Sequence, residues 1–312
     1  MSNIQLHELK HLAILIIEGE ERETFLQGQL TNDVREVTQG ESQLTGICTP
    51  KGRMLANMRM FPGDSRYYLV LAKELAEAIQ KRLGMFILRS KVTISSGSDD
   101  YALLGVSGEA AELLPEAAQL TQADQAVLAD DGCTLVRVAG ESPRYMIVGP
   151  ADAIEARRQS LQESAESADD ATWQLDDIRA GLPLIQEPTV EAFVPQMTNM
   201  GLINGISFTK GCYTGQEVVA RMQYLGKLKR RMYRVEIDGD CPVPGTDLYA
   251  PGSQSRQGAG KIVMSAPASD DKCEALIVTE VSSAESGDVR LLDENGPVLR
   301  FLDLPYAFEE SE

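Results

Sequence analysis

The sequence predicts an α+β fold in which a duplicated amino-terminal body is followed by a carboxy-terminal antiparallel β-barrel. A strand followed by a helix occurs at residues 65–83 and again at 143–161, and a Gly-Glu pair precedes each copy, at Gly19 and Gly108. This element order is typical of helices packed on one face of a sheet. The chain then changes to short β-like runs punctuated by Pro and Gly, at 232–237, 258–264, 275–281 and 289–292.

Hydrophobic periodicity places the elements of the first unit. Apolar residues at four-residue intervals predict an amphipathic helix, whereas apolar runs bounded by turn residues predict strands. The predicted elements are a strand at 11–17, a short helical segment containing Phe25, Leu26 and Leu30, two strands within 47–61 joined at the turn 50–52, a strand at 66–71 and a helix containing Leu75, Ile79 and Leu83.

Two segments lack a clear period. Residues 160–172 are polar and are interpreted as a helix end plus a linker. Residues 181–208 contain Pro183, Pro188 and Pro195, which exclude long helices there. We therefore divide the chain into a region 1–226, made of units at about 1–95 and 96–170 plus a segment 171–226, and a β-barrel domain 227–312.

Composition describes an ordinary soluble globular protein. The chain has 312 residues, of which 43% are hydrophobic, enough for about two domains. The longest apolar run near the amino terminus, 12–17, is too short for a signal peptide or a membrane span, so we expect a cytoplasmic monomer without membrane contact. The formal charge of −18 opposes general nucleic-acid binding, because phosphate contacts need clustered cations.

One basic cluster stands out against this acidic background. It consists of Lys227, Lys229, Arg230, Arg231 and Arg234. We interpret it as a solvated face whose cations favour a helix carboxy terminus. The alternative is that it steers a polyanionic ligand or partner, including tRNA.

Cysteine and histidine usage limits the possible metal and thiol sites. The five cysteines, at positions 48, 133, 212, 241 and 273, are odd in number and contain no Cys-x-x-Cys pair. They argue against both a disulfide framework and a compact metal site. The only histidines are His7 and His11, so we predict no metal centre.

Residues 210–221 contain the densest group of reactive side chains. Thr214 and Glu217 have the spacing of a capping box, which predicts a helix start after Cys212. The amides and dipole of that helix would favour a thiolate or a bound anion. The alternative is an ordinary turn with a small buried cysteine. An apolar stripe of Val218, Met222 and Leu225 would face the core, and Gly226 would end the helix.

This stretch resembles the signature of the YgfZ family of folate-binding proteins, which are relatives of the glycine-cleavage aminomethyltransferase. Further segments match in the same order, so the resemblance covers nearly the whole chain. The signature residues are Lys210, Gly211, Cys212, Tyr213, Gly215, Gln216, Glu217 and Arg221, and the other segments are 25–34, 50–53, Trp173 with 180–183, 195–199, 205–208 and 304–306.

The resemblance implies an aminomethyltransferase-like body that binds tetrahydrofolate or a derivative. It also implies a role in supporting iron–sulfur enzymes and thereby tRNA modification by methylthiolation. Two alternatives stay open: a folate-dependent aminomethyl or one-carbon transferase, and a module that binds tRNA directly.

The resemblance also implies roles for single residues. Trp173, the only tryptophan, would contact the pterin; the alternative is that it is a core aromatic residue. His11 and Leu12 stand where the family has a second pocket tryptophan, and Arg179 replaces an acidic residue that meets the pterin. In the signature, Lys210 and Arg221 would meet folate carboxylates or a partner, Cys212 would be the functional thiol, and Gln216 and Glu217 would order the turn.

One departure bears on catalysis. The transferase relatives carry an acidic pair where this chain has Ala56 and Asn57. A methyl group and a carboxamide cannot relay a proton between folate and an amine. We therefore expect no aminomethyl transfer and assign no catalytic residue, with Cys212 as the candidate functional thiol.

Overall fold

The computed structural model describes residues 4–38, 40–97, 100–110, 113–225, 228–253, 255 and 258–308. Within these ranges the chain forms three β-sheets and six α-helices. None of the described helices is both long and apolar enough to cross a bilayer. The predicted α+β class is confirmed: two sheets form the duplicated body and a third forms the carboxy-terminal part.

The first sheet follows the predicted element order closely. Its neighbours pair antiparallel in the order β3-β4-β5-β2-β6. The elements up to residue 96 are β1 (Gln5–His7), which belongs to the second sheet, and then β2 (Leu12–Glu18), α1 (Arg22–Gln27), β3 (Gln43–Cys48), β4 (Met54–Gly63), β5 (Arg66–Ala72), α2 (Ala76–Ile87) and β6 (Thr93–Ser96).

The second sheet repeats this arrangement in the order β8-β9-β10-β7-β1-β11. In both sheets, three strands that are consecutive in the chain are neighbours, and the third of them also pairs with the first strand of the unit. The order is β3-β4-β5-β2 in the first sheet and β8-β9-β10-β7 in the second. The elements are β7 (Tyr101–Ser107), β8 (Ala126–Leu128), β9 (Thr134–Val138), β10 (Arg144–Pro150), α3 (Ala151–Gln162) and β11 (Glu166–Ala168).

Strands β1 and β11 depart from the sequence-based expectation. β1 precedes the first unit but lies in the second sheet, antiparallel to β7 and parallel to β11. The segment 160–172, expected to be a helix end and linker, therefore contains a strand. Its three residues show no alternation, and β11 forms because β1 offers it an unpaired edge, with Glu166 N donating to Ile4 O.

The two sheets pack face to face between two helical layers. Ile14, Ile16 and Val70 of the first sheet meet Val136 and Val148 of the second. The opposite face of the first sheet is covered by α1 and α2, and that of the second by α3. Burial on both faces explains why β2 is a continuous apolar run rather than an alternating one.

The carboxy-terminal strands form a six-stranded antiparallel sheet that curls into a half-barrel, in the order β16-β13-β14-β15-β12-β17. Register shifts between β14 and β15 add to the curl. The remaining elements are α4 (Asp170–Arg179), α5 (Gln216–Leu225), β12 (Arg230–Asp238), β13 (Asp247–Tyr249), β14 (Gly260–Ser269), β15 (Lys272–Glu280), α6 (Val281–Ser286), β16 (Arg290–Leu291) and β17 (Arg300–Leu302).

A disulfide bond joins Cys241 to Cys273, with a Cα–Cα distance of 5.2 Å. The expectation that the cysteines form no such bond is therefore wrong for this pair. Their 32-residue separation carries no recognisable pattern. The pair forms because β12 and β15 are neighbours, with Ile237 opposite Cys273, so the turn that leaves β12 passes beside that strand.

Candidate functional site

Lys210 holds the signature turn against the first unit. Its buried Nζ donates to the carbonyl oxygens of Leu30, at 2.8 Å, and Asn32, at 2.7 Å, and lies 5.2 Å from the centre of the Tyr213 ring. Burial lowers the pKa of the ammonium to about 8, although Asp33 raises it. The ammonium faces the interior, so this placement does not match the predicted contact with a folate carboxylate or a partner.

Two glycines allow the turn at residues 49–53 to approach the start of α5. Gly215 has φ +88, and a Cβ there would clash with the carbonyl oxygen of Thr49. Gly52 has φ +70, and a Cβ there would lie 2.8 Å from the Cβ of Val218. The two glycines bring the segment 50–53 against the signature 210–221. Lys210 joins the segment 25–34 to them through Leu30 and Asn32, so three of the matched sequence segments meet here.

Helix α5 begins at Gln216, which corrects the predicted capping box. The carbonyl of Gly215 accepts from Val219 N at 3.3 Å, so Gly215 occupies the cap position assigned to Thr214. Among the described residues, no hydrogen bond from the Thr214 side chain caps this helix. Gly215 is the better cap here because glycine readily adopts its positive φ and because it contacts the 49–53 turn.

The buried face of α5 is also displaced from the predicted stripe. Val219 is fully buried, while Val218 and Met222 are half-buried. The amide of Gln196 donates to Val219 O at 2.5 Å and fixes this face toward the segment 195–199. The side chain of Leu225 and the predicted helix end at Gly226 lie outside the described residues.

Cys212 is the exposed free thiol of the chain. Cys48 and Cys133 are buried, and burial raises the pKa of each to about 12. Gln216 Nε2 lies 3.5 Å from Gly211 O, a long contact across the turn. Glu217 and Arg221 are exposed one helical turn apart on α5, so they share the solvent side of the signature.

Trp173 lies in the core between the two sheets, at 0% exposure. The Arg144 guanidinium lies 4.7 Å from its ring centroid, His7 packs edge-on, and a Cβ at Gly105 would come within 2.8 Å of the indole. Both ring faces are therefore in contact with protein. This placement matches the alternative of a core aromatic, and stacking on a pterin would require the indole to be uncovered.

A groove beside α4 contains the predicted site residue His11. Its volume is about 280 Å³. His11 Nδ1 lies 2.6 Å from Asp170 Oδ1, and His11 Nε2 is buried with no partner among the described residues. Leu12 packs against the core cluster that contains Trp173. The lining residues are Lys10, His11, Ala72, Lys73, Glu74, Gln174, Leu184 and Gln186.

Arg179 connects α4 to the half-barrel instead of facing an open site. Its guanidinium lies 2.8 Å from Glu274, whose other oxygen pairs with Arg234 at 2.7 Å. These two arginines hold the pKa of the Glu274 carboxyl below its usual value, against the effect of burial. The predicted contact of Arg179 with a ligand carbonyl or carboxylate is therefore replaced by an internal ion pair.

The basic cluster does not form a helix carboxy terminus. Arg230, Arg231 and Arg234 lie on β12, and Lys227 falls outside the described residues. Arg230 pairs with Glu280 at 3.3 Å, and Arg231 lies 4.9 Å from the ring centroid of Phe308. Strand geometry directs these cations to partners within the half-barrel, which leaves little charge for a polyanionic ligand.

Asn57 uses both ends of its carboxamide to hold a neighbouring segment. Its Nδ2 donates to Pro183 O at 2.6 Å, and its Oδ1 accepts from Ile185 N at 2.7 Å. An ionised carboxylate could accept from Ile185 but could not donate to Pro183. The carboxamide therefore suits a structural bridge at the position where the transferase relatives were expected to carry an acid.

Two hydrogen bonds between the amino-terminal body and the carboxy-terminal part of the chain were not predicted from the sequence. Asn199 donates to Met232 O at 2.9 Å, and Tyr306 donates to Gly181 O at 2.9 Å. Asn199 and Tyr306 belong to the matched segments 195–199 and 304–306, and this membership was the feature that could have identified them.

Asp170 and the buried Arg144 lie outside the matched segments. Charged residues are usually exposed, so the sequence did not indicate that these two contact His11 and Trp173. Within the described ranges, no three His, Cys, Asp or Glu side chains are grouped to hold a metal ion.

Comparison with known proteins confirms the resemblance. Residues 1–167 match the GCVT N-terminal domain. The tRNA-modifying protein YgfZ of Klebsiella pneumoniae (strain 342) is 31% identical over 99% of this chain and 94% of that protein. The same protein of Serratia proteamaculans (strain 568) is 32% identical over the same shares.

Among solved structures, the glycine cleavage system aminomethyltransferase T from Bartonella henselae matches with a TM-score of 0.70 over 97% of this chain and 86% of that one. At 17% sequence identity, this likeness shows a shared fold. Each of the two sequence relatives aligns with 99% of this chain. The chain therefore belongs to the family of YgfZ tRNA-modifying proteins.

Proposed function

We propose that this protein binds a reduced folate and supports iron–sulfur enzymes that modify tRNA, without itself transferring a one-carbon group. The observation that carries this proposal is the end-to-end similarity to tRNA-modifying YgfZ proteins. The exposed thiol of Cys212 supports it, since the other free thiols are buried. We further propose that the protein acts in the cytoplasm, where tRNA and its modifying enzymes are found.

The groove that contains His11 is the proposed folate site. Its mixed lining fits a flat heterocycle with an anionic tail, because Leu184 and Ala72 offer apolar surface, Gln174 and Gln186 offer amides and Lys73 offers an ammonium. His11 Nε2 is buried without a partner among the described residues, so in the tautomer whose Nδ1 donates to Asp170 a ligand N–H that displaced the groove lining over Nε2 would find an acceptor there. These groups would bind and orient the folate as a ligand, without a transfer step at this site.

Replacing His11 by alanine is expected to weaken binding of tetrahydrofolate by about 2- to 12-fold, the equivalent of about 0.5–1.5 kcal/mol for one hydrogen bond. Isothermal titration calorimetry measures the change. Glu294→Ala, on the exposed surface of the half-barrel, is the matched control and should bind as the wild type does. Equal affinity for His11→Ala and wild type would reject the placement, and absence of binding to wild type would reject folate as the ligand.

The same titration can be followed by the fluorescence of Trp173, which is the only tryptophan. Gln174, its neighbour in α4, lines the groove, so we expect ligand binding to quench the indole emission. Unchanged emission while calorimetry reports saturation would place the folate away from α4.

The wild-type protein is expected to show no aminomethyl transfer, because Asn57 cannot act as the acid or base. Asn57→Asp should not create this activity either, and should lower the free energy of unfolding by about 1–3 kcal/mol since Pro183 O loses its donor. Urea denaturation and an assay with a glycine-derived aminomethyl donor measure the two effects. Turnover by the wild type at enzyme-like rates would support the transferase alternative instead.

The alternative of direct tRNA binding receives less support. Arg230 and Arg234 are paired with carboxylates, and the chain carries a formal charge of −18. Phosphate contacts release counterions, so real binding would weaken steeply as salt rises.

A further inference from the structure

The end of helix α2 exposes an apolar surface that the fold does not use. Met85 is 61% exposed, Phe86 39% and Leu88 90%. We call these three residues the α2-end patch. Beside it lies an open groove of about 560 Å³, lined by Glu21 and by residues 86–90. Large apolar side chains grouped in this way are typical of interaction sites, whereas single exposed ones are common.

The backbone at Leu88 makes its exposure unusual. Leu88 follows the last residue of α2 and has φ +46 and ψ −97, a backbone conformation that residues other than glycine rarely adopt. At 90% exposure, its side chain gains almost no packing within the chain in return. A strained position that projects leucine into solvent is therefore better explained by a contact outside this chain.

The charges around the patch point to the kind of partner. Lys81 and Arg82 lie one helical turn before Met85 and Phe86, Arg89 follows Leu88, and none of the three cations forms an ion pair among the residues that the structure describes. Arg82 lies 5.5 Å from the Phe86 ring centroid and donates to Cys48 O. Because the chain has 47 acidic and 29 basic residues, three cations without carboxylate partners beside apolar side chains form a locally complementary surface for an acidic segment.

This surface lies beside the signature turn. Arg82 contacts the carbonyl of Cys48, and the Cβ of Cys48 would lie 3.2 Å from a Cβ at Gly215. A partner on the α2-end patch would therefore be held near the turn that carries Cys212. The inference goes beyond the proposed function, because it requires neither folate nor tRNA.

We propose that the α2-end patch docks an acidic amphipathic segment of a partner protein, with apolar side chains on Met85, Phe86 and Leu88 and carboxylates on Lys81, Arg82 and Arg89. A second copy related by a twofold axis would bring the same cations against each other. An anionic membrane would attract the cations but would meet a chain of formal charge −18 at close range.

The test uses a fluorescein-labelled helical peptide of about 16 residues, with leucine at positions i, i+3, i+4 and i+7 and glutamate elsewhere. Fluorescence anisotropy with the full chain should show binding at least about tenfold tighter than for the same peptide with lysine replacing glutamate. The double variant Lys81→Glu/Arg89→Glu should lose this preference. Met85→Ser/Leu88→Ser should weaken binding of the glutamate peptide by a similar factor, whereas Val243→Ser, an equally exposed apolar position elsewhere, should not.

Because all the changed side chains are exposed, thermal melting should show the variants folded. Equal binding of the two peptides, or no effect of either double variant, would overturn the proposal. Binding to anionic phospholipid vesicles tests a membrane as the occupant of the patch, and analytical ultracentrifugation tests a second copy of the chain. If the same substitutions abolish vesicle binding or self-association while peptide binding is absent, the patch serves a membrane or a second copy and the proposal is wrong.

Discussion

Replacing Lys210 by methionine is expected to lower the free energy of unfolding by about 2–6 kcal/mol at neutral pH. The substitution leaves the carbonyl oxygens of Leu30 and Asn32 buried without their donor. Each unpaired buried acceptor costs about 1–3 kcal/mol, whereas methionine fills nearly the same space as the lysine stem. Chemical denaturation measures the loss. Lys229→Met removes an exposed lysine and should change the free energy of unfolding little.

The loss should depend on pH in a defined direction. Burial lowers the pKa of Lys210 to about 8 from the usual 10.5. Between these pH values the unfolded chain binds more protons than the folded one, so the stability that Lys210 contributes rises with pH. The difference between wild type and Lys210→Met is therefore smallest below pH 8 and widens toward pH 10.5. A difference that narrows over this interval would show that the ammonium is not buried as described.

Native protein treated with iodoacetamide is expected to react at one thiol, Cys212, and Cys212→Ser should reduce the labelling almost to zero. Cys48 and Cys133 are buried with pKa values raised to about 12, and Cys241 and Cys273 are joined in a disulfide. Buried thiols react only when the structure opens, so we expect their labelling to be at least about 10²-fold slower.

Intact-mass measurement after labelling in guanidinium provides the control. Without reductant the unfolded chain should take up three labels, and with reductant five, because the disulfide then opens. Persistent rapid labelling of folded Cys212→Ser would contradict the assignment of Cys212 as the accessible thiol.

Much of the fold could be predicted because hydrophobic period records which faces are buried. Leu75, Ile79 and Leu83 are all buried beneath the first sheet, as their four-residue spacing indicates. The apolar run in β2 has both faces covered. In contrast, β1 pairs with β7 and β11, whose residues lie about 100 and about 160 positions further along the chain, and nothing in three-residue strands identifies such partners.

The candidate site could be located from its residues but not oriented by them. The matched segments do converge, since Lys210 contacts the segment 25–34 and Gly215 contacts the 49–53 turn. The directions of the side chains were not predictable. Arg179 faces Glu274, and Trp173 faces Arg144 and the core, because partners from other elements decide where a charge or a ring is satisfied.

We propose that this protein supports tRNA modification through the exposed thiol of Cys212. The most direct test is mass spectrometry of tRNA nucleosides from cells that lack the gene and carry either the wild type, Cys212→Ser or Glu294→Ala. We predict that wild type and Glu294→Ala restore methylthiolated nucleosides, and that Cys212→Ser, present in equal amount, does not. Full restoration by Cys212→Ser, or normal methylthiolation in cells without the gene, would contradict the claim.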